Sequence, residues 1–156
     1  MTAGLHATHA MSIARFERFF REAASLDVDK DDLKRLDEFL NHNIEDLLIR
    51  ATAIAHANLR QAIAVIDIPI TAGLQERIFE FRRMDADIGL LPILNELTIR
   101  PPLDLPLSDE ADAELPAVAG GLSVALAHTF KIIDSHLKNP SSEHWERSFR
   151  LFDLLL

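Results

Sequence analysis

Residues 29–58 read DKDDLKRLDEFLNHNIEDLLIRATAIAHAN. No Gly or Pro interrupts them. Leu33, Leu36, Leu40, Ile44, Leu47, Leu48, Ala51 and Ile54 make a long apolar stripe at mostly three- and four-residue spacings, as on one face of a helix. Asp29 stands where an N-cap side chain takes an orphan backbone N–H, and Asp31 and Asp32 stand where the helix dipole favours negative charge. The pattern predicts one helix of about 29 residues, roughly 43 Å long. A rod of that length overhangs a chain of 156 residues unless other elements pack along both its ends.

Upstream, Ser12 to about Ser25 predicts a shorter helix. Ile13, Phe16, Phe19, Phe20 and Ala23 share one face, and Arg15, Arg18 and Arg21 share another. Leu26-Asp27-Val28 is the break before the long helix. Residues 1–11 are small, polar and aperiodic. They read as a flexible tail, with Met11 as an alternative start to Met1. Downstream, Arg60 to Ile70, RQAIAVIDIPI, breaks the helical period and predicts an extended stretch. Asp67 or Thr71 then caps a helix that runs to about Met84, with Pro69 in its first turn.

The second half repeats the plan. A short helix is expected from Ile88 to Ile99, kinked at Pro92, and Arg100 to Leu107, RPPLDLPL, is a connector. Ser108 caps a second long helix expected to reach Leu137, with a kink or a break near Pro116. Gly120-Gly121 in that helix either lets another helix approach closely or extends the weak point at Pro116. After Lys138-Asn139-Pro140-Ser141, Ser142 caps a last helix, Glu143 to about Leu155. The chain divides into a tail at 1–11 and two short–long–short units at 12–84 and 85–156, expected to form one compact all-α domain.

That plan resembles the histone fold, met twice in one chain. DLLIRATAIAHANLR, IDIPITAGLQERIFEF, IRPPLDLPLS and LPAVAGGLSVALA resemble a family of uncharacterised prokaryotic proteins with two tandem histone folds. The resemblance covers about Ser12 to Leu156 and implies a single-chain pseudo-dimer in which the two units cross. In histones an Arg opening the second loop pairs with an Asp seven residues on. Arg60 and Asp67 match those positions, so the resemblance implies a loop clamp between them.

The resemblance also implies a DNA surface built from first-helix ends and paired loops. This chain departs from it. Gln61 and Ala62 follow the loop Arg where archaeal histones carry Lys and Thr, and Asp27 stands where a basic residue is usual. Seven residues after Lys138 stands Trp145 in place of a second Asp. Candidate DNA contacts reduce to Arg15, Arg18, Arg21, Arg100 and Lys138, with Arg60. The plainer reading of the first-helix arginines is a solvated face paired with Glu17 and Glu22.

Net charge is −9, and residues 84–156 hold 12 acidic groups against 5 basic. That field repels nucleic acid and anionic lipid. With no Cys there is no disulfide, thiolate metal site or cysteine nucleophile. None of His6, His9, His42, His56, His128, His136 and His144 falls in HExxH or Glu-x-x-His, and no phosphate-cradling or nucleophile-elbow motif occurs. No apolar run is expected to reach membrane-spanning length, and no secretory signal is read. These readings lead to a non-enzymatic protein-interaction module without cofactor, metal, small-molecule substrate or membrane, in the cytoplasm. Its partner would be another protein or itself. The alternative is a weak DNA binder of the nucleoid. Trp145, Phe149 and Phe152 read as core. The terminal leucines are either tucked in or an exposed edge that would suggest a dimer interface.

Overall fold

The computed structural model describes residues 2–156 of the backbone, with side chains from Ser12 onward. Six α-helices occur among them, and no strand: α1 (Thr2–Ala24), α2 (Lys30–Ala57), α3 (Ala72–Ile88), α4 (Leu91–Leu97), α5 (Asp109–Ile133) and α6 (Ser142–Leu155), with a single 3₁₀ turn at Val65–Asp67 inside the stretch expected to be extended. The backbone of the tail expected at 1–11 is helical from Thr2 and continues into α1, since no Gly-Pro or similar breaker divides the two. Met1 and the side chains of His6, His9 and Met11 lie outside the described residues.

The all-helical expectation holds, and the two long helices begin where their caps predict. Asp29 accepts from the Asp32 N–H at 2.9 Å while Asp32 accepts from the Asp29 N–H at 3.0 Å. Ser108 accepts from the Ala111 N–H at 3.1 Å. The stripe of α2 is buried from Leu36 through Ala55.

Several boundaries differ from the sequence reading. Thr71 rather than Asp67 caps α3, so Pro69 precedes the helix instead of filling its first turn. α3 runs on to Ile88 and stops where Gly89 takes a left-handed φ of 75°. The divide read between 84 and 85 therefore falls inside α3. Pro92 sits in the first turn of α4, where its missing N–H costs nothing, and it starts that helix rather than kinking it. α5 ends at Ile133, not Leu137, because Asp134 leaves helical geometry. The last helix is capped at Ser141, whose N–H reaches His144 Nδ1 at 3.0 Å.

α5 is the hub and touches α1, α2, α3, α4 and α6. Every residue from Leu115 to Val124 is buried. A helix enclosed all round has no need of a polar face. This is why α5, on length and composition alone, is apolar enough to cross a membrane, which the reading of apolar runs missed. Some 67% of the qualifying window is buried against the rest of the chain. Gly120 and Gly121 let α3 lie against α5: a Cβ on Gly120 would strike the Phe81 ring, and one on Gly121 would lie 3.0 Å from the Ile78 backbone nitrogen.

The halves interlock away from α5 as well. Trp145 Nε1 of α6 donates to buried Asp32 of α2 at 2.8 Å. Burial pushes the Asp32 carboxyl above its usual value, against the lowering bonds from Asp29 and Trp145. Asn41 of α2 donates to the Leu97 carbonyl and accepts from the Ile99 N–H, finishing the end of α4. Phe39 of α2 takes Phe149 and Phe152 edge-on at 5.4 and 4.7 Å.

Candidate functional site

The loop after α2 is set by how that helix stops. Leu59 adopts a left-handed φ of 60°, and the Leu59 and Arg60 N–H groups return to the carbonyls of His56 and Ala55. This is a Schellman ending with leucine where glycine is usual. It delivers Arg60 to the loop. There Arg60 Nε lies 3.1 and 3.0 Å from the two Asp67 oxygens, and a terminal nitrogen lies 2.8 Å from Oδ1. Asp67 is wholly buried and also accepts from the Ala64 N–H at 2.8 Å. Arg60 holds the Asp67 carboxyl below the usual carboxylate range, in opposition to burial and with help from Ala64. The clamp read from the sequence is a forked, charge-assisted pair across one turn.

The same loop pairs with the connector ahead of α5. The Ile63 N–H donates to Pro106 at 2.8 Å, and the Ser108 N–H donates to Ile63 at 2.9 Å, forming a short parallel bridge. At the other end, the Asp27 N–H donates to the Lys138 carbonyl at 2.7 Å. Each loop beside α2 thus meets a loop beside α5.

The candidate cations separate into two groups. Arg15 donates to the Gly89 carbonyl at 3.1 Å, and Arg18 donates to the Asp87 carbonyl at 3.2 Å. Both close the C-terminal end of α3, whose dipole favours a cation there. Arg18 also pairs with Glu22 at 2.9 Å, as the solvated-face reading expected. Arg100 is held between Asp112 Oδ1 at 2.9 Å and the Asn95 side chain at 2.8 Å, with a bond to the Thr98 carbonyl. Arg21 and Lys138 remain exposed. They share one end of the molecule, because Arg21 lies 4.0 Å from the same Asp27 that bonds to Lys138.

Sequence reasoning missed two features. His42 Nε2 lies 2.7 Å from Asp153 and 3.5 Å from Asp46, so three ligand atoms fall within 4.8 Å of one another at the surface. The Asp153 bond raises the His42 pKa, with Asp46 and Glu45 adding to it. His42-x3-Asp46 was legible as an i,i+4 pair, but nothing local signals Asp153. The other is that Leu151 joins the terminal leucines, whose exposure the sequence left open, in one stripe on α6. Leu151, Leu154 and Leu155 are exposed, the last two at 81% and 77%, while Leu156 packs against the core.

Comparisons add relatives but no chemistry. A family model described as a domain of unknown function, DUF1931, matches residues 16–153. Two Aquifex aeolicus (strain VF5) proteins, each described as uncharacterized, are similar. One is 25% identical over 139 residues, covering 89% of this chain and 81% of its own length, and the other is 27% identical over 137 residues, covering 82% of each. A crystal structure of a Thermus thermophilus protein is 50% identical with a TM-score of 0.82 and covers 92% of this chain and 97% of its own. A 1.9 Å crystal structure of protein AQ328 from Aquifex aeolicus shares the fold at 23% identity and a TM-score of 0.82, covering 93% and 95%.

Proposed function

The chain belongs to the DUF1931 family, and on that premise we propose that it is a non-enzymatic association module built as two tandem histone folds crossed in one chain. Three features support the architecture. The middle helix is the longest of each three, α2 at 28 residues and α5 at 25, although α1, at 23, is longer than the short helix the sequence predicts. Each loop beside one long helix bonds to a loop beside the other. Arg60 and Asp67 clamp the loop the resemblance singled out. With both units in one chain, the partner a lone histone fold needs is already supplied, and the outer surface is left for other contacts.

The observation that carries the association reading is the α6 stripe. Leu151, Leu154 and Leu155 recur at three and four residues on a face that none of the described residues covers. Exposed apolar side chains aligned on one helix mark contact surfaces. The preferred partner is a second copy, in the cytoplasm, with no membrane, metal or cofactor required. Light scattering on the eluting protein from about 1 to 200 μM tests this. The expected result is a concentration-dependent dimer that Leu154→Glu with Leu155→Glu turns into a monomer of unchanged helicity. A monomer at all concentrations would overturn the self-association reading.

The second reading is weak DNA binding in the nucleoid, favoured by Arg21 and Lys138 sharing one loop-paired end. Arg15, Arg18 and Arg100 are engaged within the chain and contribute less than their number suggests. Anisotropy of labelled duplex from about 20 to 200 mM salt decides it. A negative log–log slope, about −0.9 per phosphate contacted, would revive this reading, and its absence would leave protein association.

A further inference from the structure

Between α1, the first turns of α2 and α4 lies a cavity of about 530 Å³. Phe16 and Leu36 form its buried floor, and Ile13, Leu33, Ile93 and Leu97 line half-buried walls. The volume lies within the range of about 300–1,000 Å³ usual for small-molecule sites, and an apolar lining with a few polar groups at its edge is their usual composition.

Lys30 and Lys34 stand at the rim. Both are exposed, and neither ammonium group makes a hydrogen bond or ion pair among the described residues. Their placement opposes helix stability twice. Like charges at i and i+4 repel, and a cation in the first turn of α2 faces the positive end of the helix dipole. Two carboxylates also line the cavity, Asp37 and Glu96. Asp37 stands three residues from Lys34 but accepts from Asn41 Nδ2 at 3.0 Å instead. Burial, with Glu38 nearby, pushes its carboxyl above the usual value, as an apolar wall would. Asp31 and Asp32 already serve the dipole, and Asp32 is occupied by Asp29 and Trp145. With Asp37 turned to Asn41 and Glu96 on the separate α4 wall, the two unpartnered ammonium groups one turn apart on α2 give that edge of the apolar cavity the charge that holds an anionic head above a hydrocarbon tail.

We propose that this cavity binds a free single-chain fatty carboxylate, with its tail against Phe16, Leu36 and Ile93 and its head between Lys30 and Lys34. Hydrocarbon burial supplies the affinity and the two ammonium groups select the head, despite a net charge of −9 that repels anions elsewhere. The site lies on α1, α2 and α4, apart from the leucine stripe of α6, so it stands or falls independently of self-association.

Titration calorimetry with dodecanoate, held below its aggregation concentration, tests the proposal on the full chain. One dodecanoate per chain is expected, with dodecyltrimethylammonium binding at least about tenfold more weakly. Lys30→Gln with Lys34→Gln is a surface change that leaves the fold intact, and it should weaken dodecanoate by about tenfold or more while closing the gap between the two head groups. Ile93→Trp, which fills the cavity, should abolish binding of both. Absence of saturable binding, equal affinity for both heads, or an unweakened Lys30/Lys34 variant would overturn the proposal. So would binding to phosphatidylglycerol vesicles without binding to the monomeric carboxylate.

Discussion

A terminal nitrogen of Arg100 donates to the main-chain carbonyl of Asp112 at 3.4 Å, the acceptor that Pro116, four residues on, has no N–H to reach. A proline inside a helix removes one i to i−4 bond and crowds the turn before it. α5 nevertheless continues to Ile133 without the break that is one of the two outcomes expected at Pro116. Arg100 reaches in from the connector, holds the Asp112 carboxylate at 2.9 Å and gives the orphaned carbonyl a long bond.

Arg100→Ala should therefore lower stability by about 1–2 kcal/mol, towards the low end for hydrogen bonds to charged groups because the pair is partly exposed. The same change in a Pro116→Ala background should cost about 0.5–1 kcal/mol less, because alanine at that position supplies the missing N–H. Urea unfolding of the four proteins measures the coupling. Additive losses would show that Arg100 does not substitute for the lost helix bond.

The Arg60–Asp67 pair sets an acid limit on the second loop. The Asp67 carboxyl is held below its ordinary value of 3.8, first by the Arg60 hydrogen bonds and then by the Ala64 N–H. A carboxylate whose folded pKa is depressed stabilises the fold above the unfolded value, near 3.9, and that contribution is lost as pH falls through the lower folded value. Urea midpoints should hold from pH 7 to about 5 and fall below about pH 4. Asp67→Asn should flatten part of that acid limb. Arg60→Ala should lower the midpoint at pH 7 more than Asp67→Asn does, because it leaves a buried carboxylate with one main-chain donor.

The long rods were legible because they follow from apolar periodicity and polar caps, both local properties. So was the Arg60–Asp67 clamp, which closes within seven residues. What failed was set from a distance. Pro116 looked like a break because its helper, Arg100, sits in another segment. Arg15 and Arg18 offered only Glu17 and Glu22 as local partners, because the carbonyls at the end of α3 that they close are 74 and 69 residues away. Asp32 looked like a dipole-stabilising surface group, yet Trp145 draws it into the core. The end of α5 was overrun by four residues because Ile132, Ile133 and Leu137 continued the apolar count past a cap with no glycine.

Leu59 stores backbone strain that is removable. Its φ is 60° and its side chain is 91% exposed, so no packing offsets the left-handed conformation. Left-handed geometry costs an L residue roughly 1–2 kcal/mol, less the extra entropy glycine loses on folding. Leu59→Gly should raise stability by about 0.5–1 kcal/mol, read as a higher urea midpoint with the same slope. A neutral or lower midpoint would mean that Leu59 makes contacts that outweigh the strain.

Two glycines in neighbouring helices should respond to the same substitution with opposite signs. A Cβ on Gly121 would lie 2.5 Å from Ile78 Cγ1, 3.0 Å from the Ile78 backbone nitrogen and 3.1 Å from its Cα, so main chain as well as side chain must retreat. Alanine gains up to about 1 kcal/mol in helix propensity over glycine, but overpacking a dense core costs about 1–3 kcal/mol. Backbone on the far side makes the cost larger, so Gly121→Ala should lose about 1–2 kcal/mol. Gly73, near the start of α3, has nothing within 4 Å of such a Cβ. Gly73→Ala keeps the propensity gain without the clash and should gain a few tenths to about 1 kcal/mol. Thermal melts of the two variants beside the parent separate the terms. A stabilised Gly121→Ala would mean that α3 and α5 can part without loss and that their close approach does not hold the two halves together.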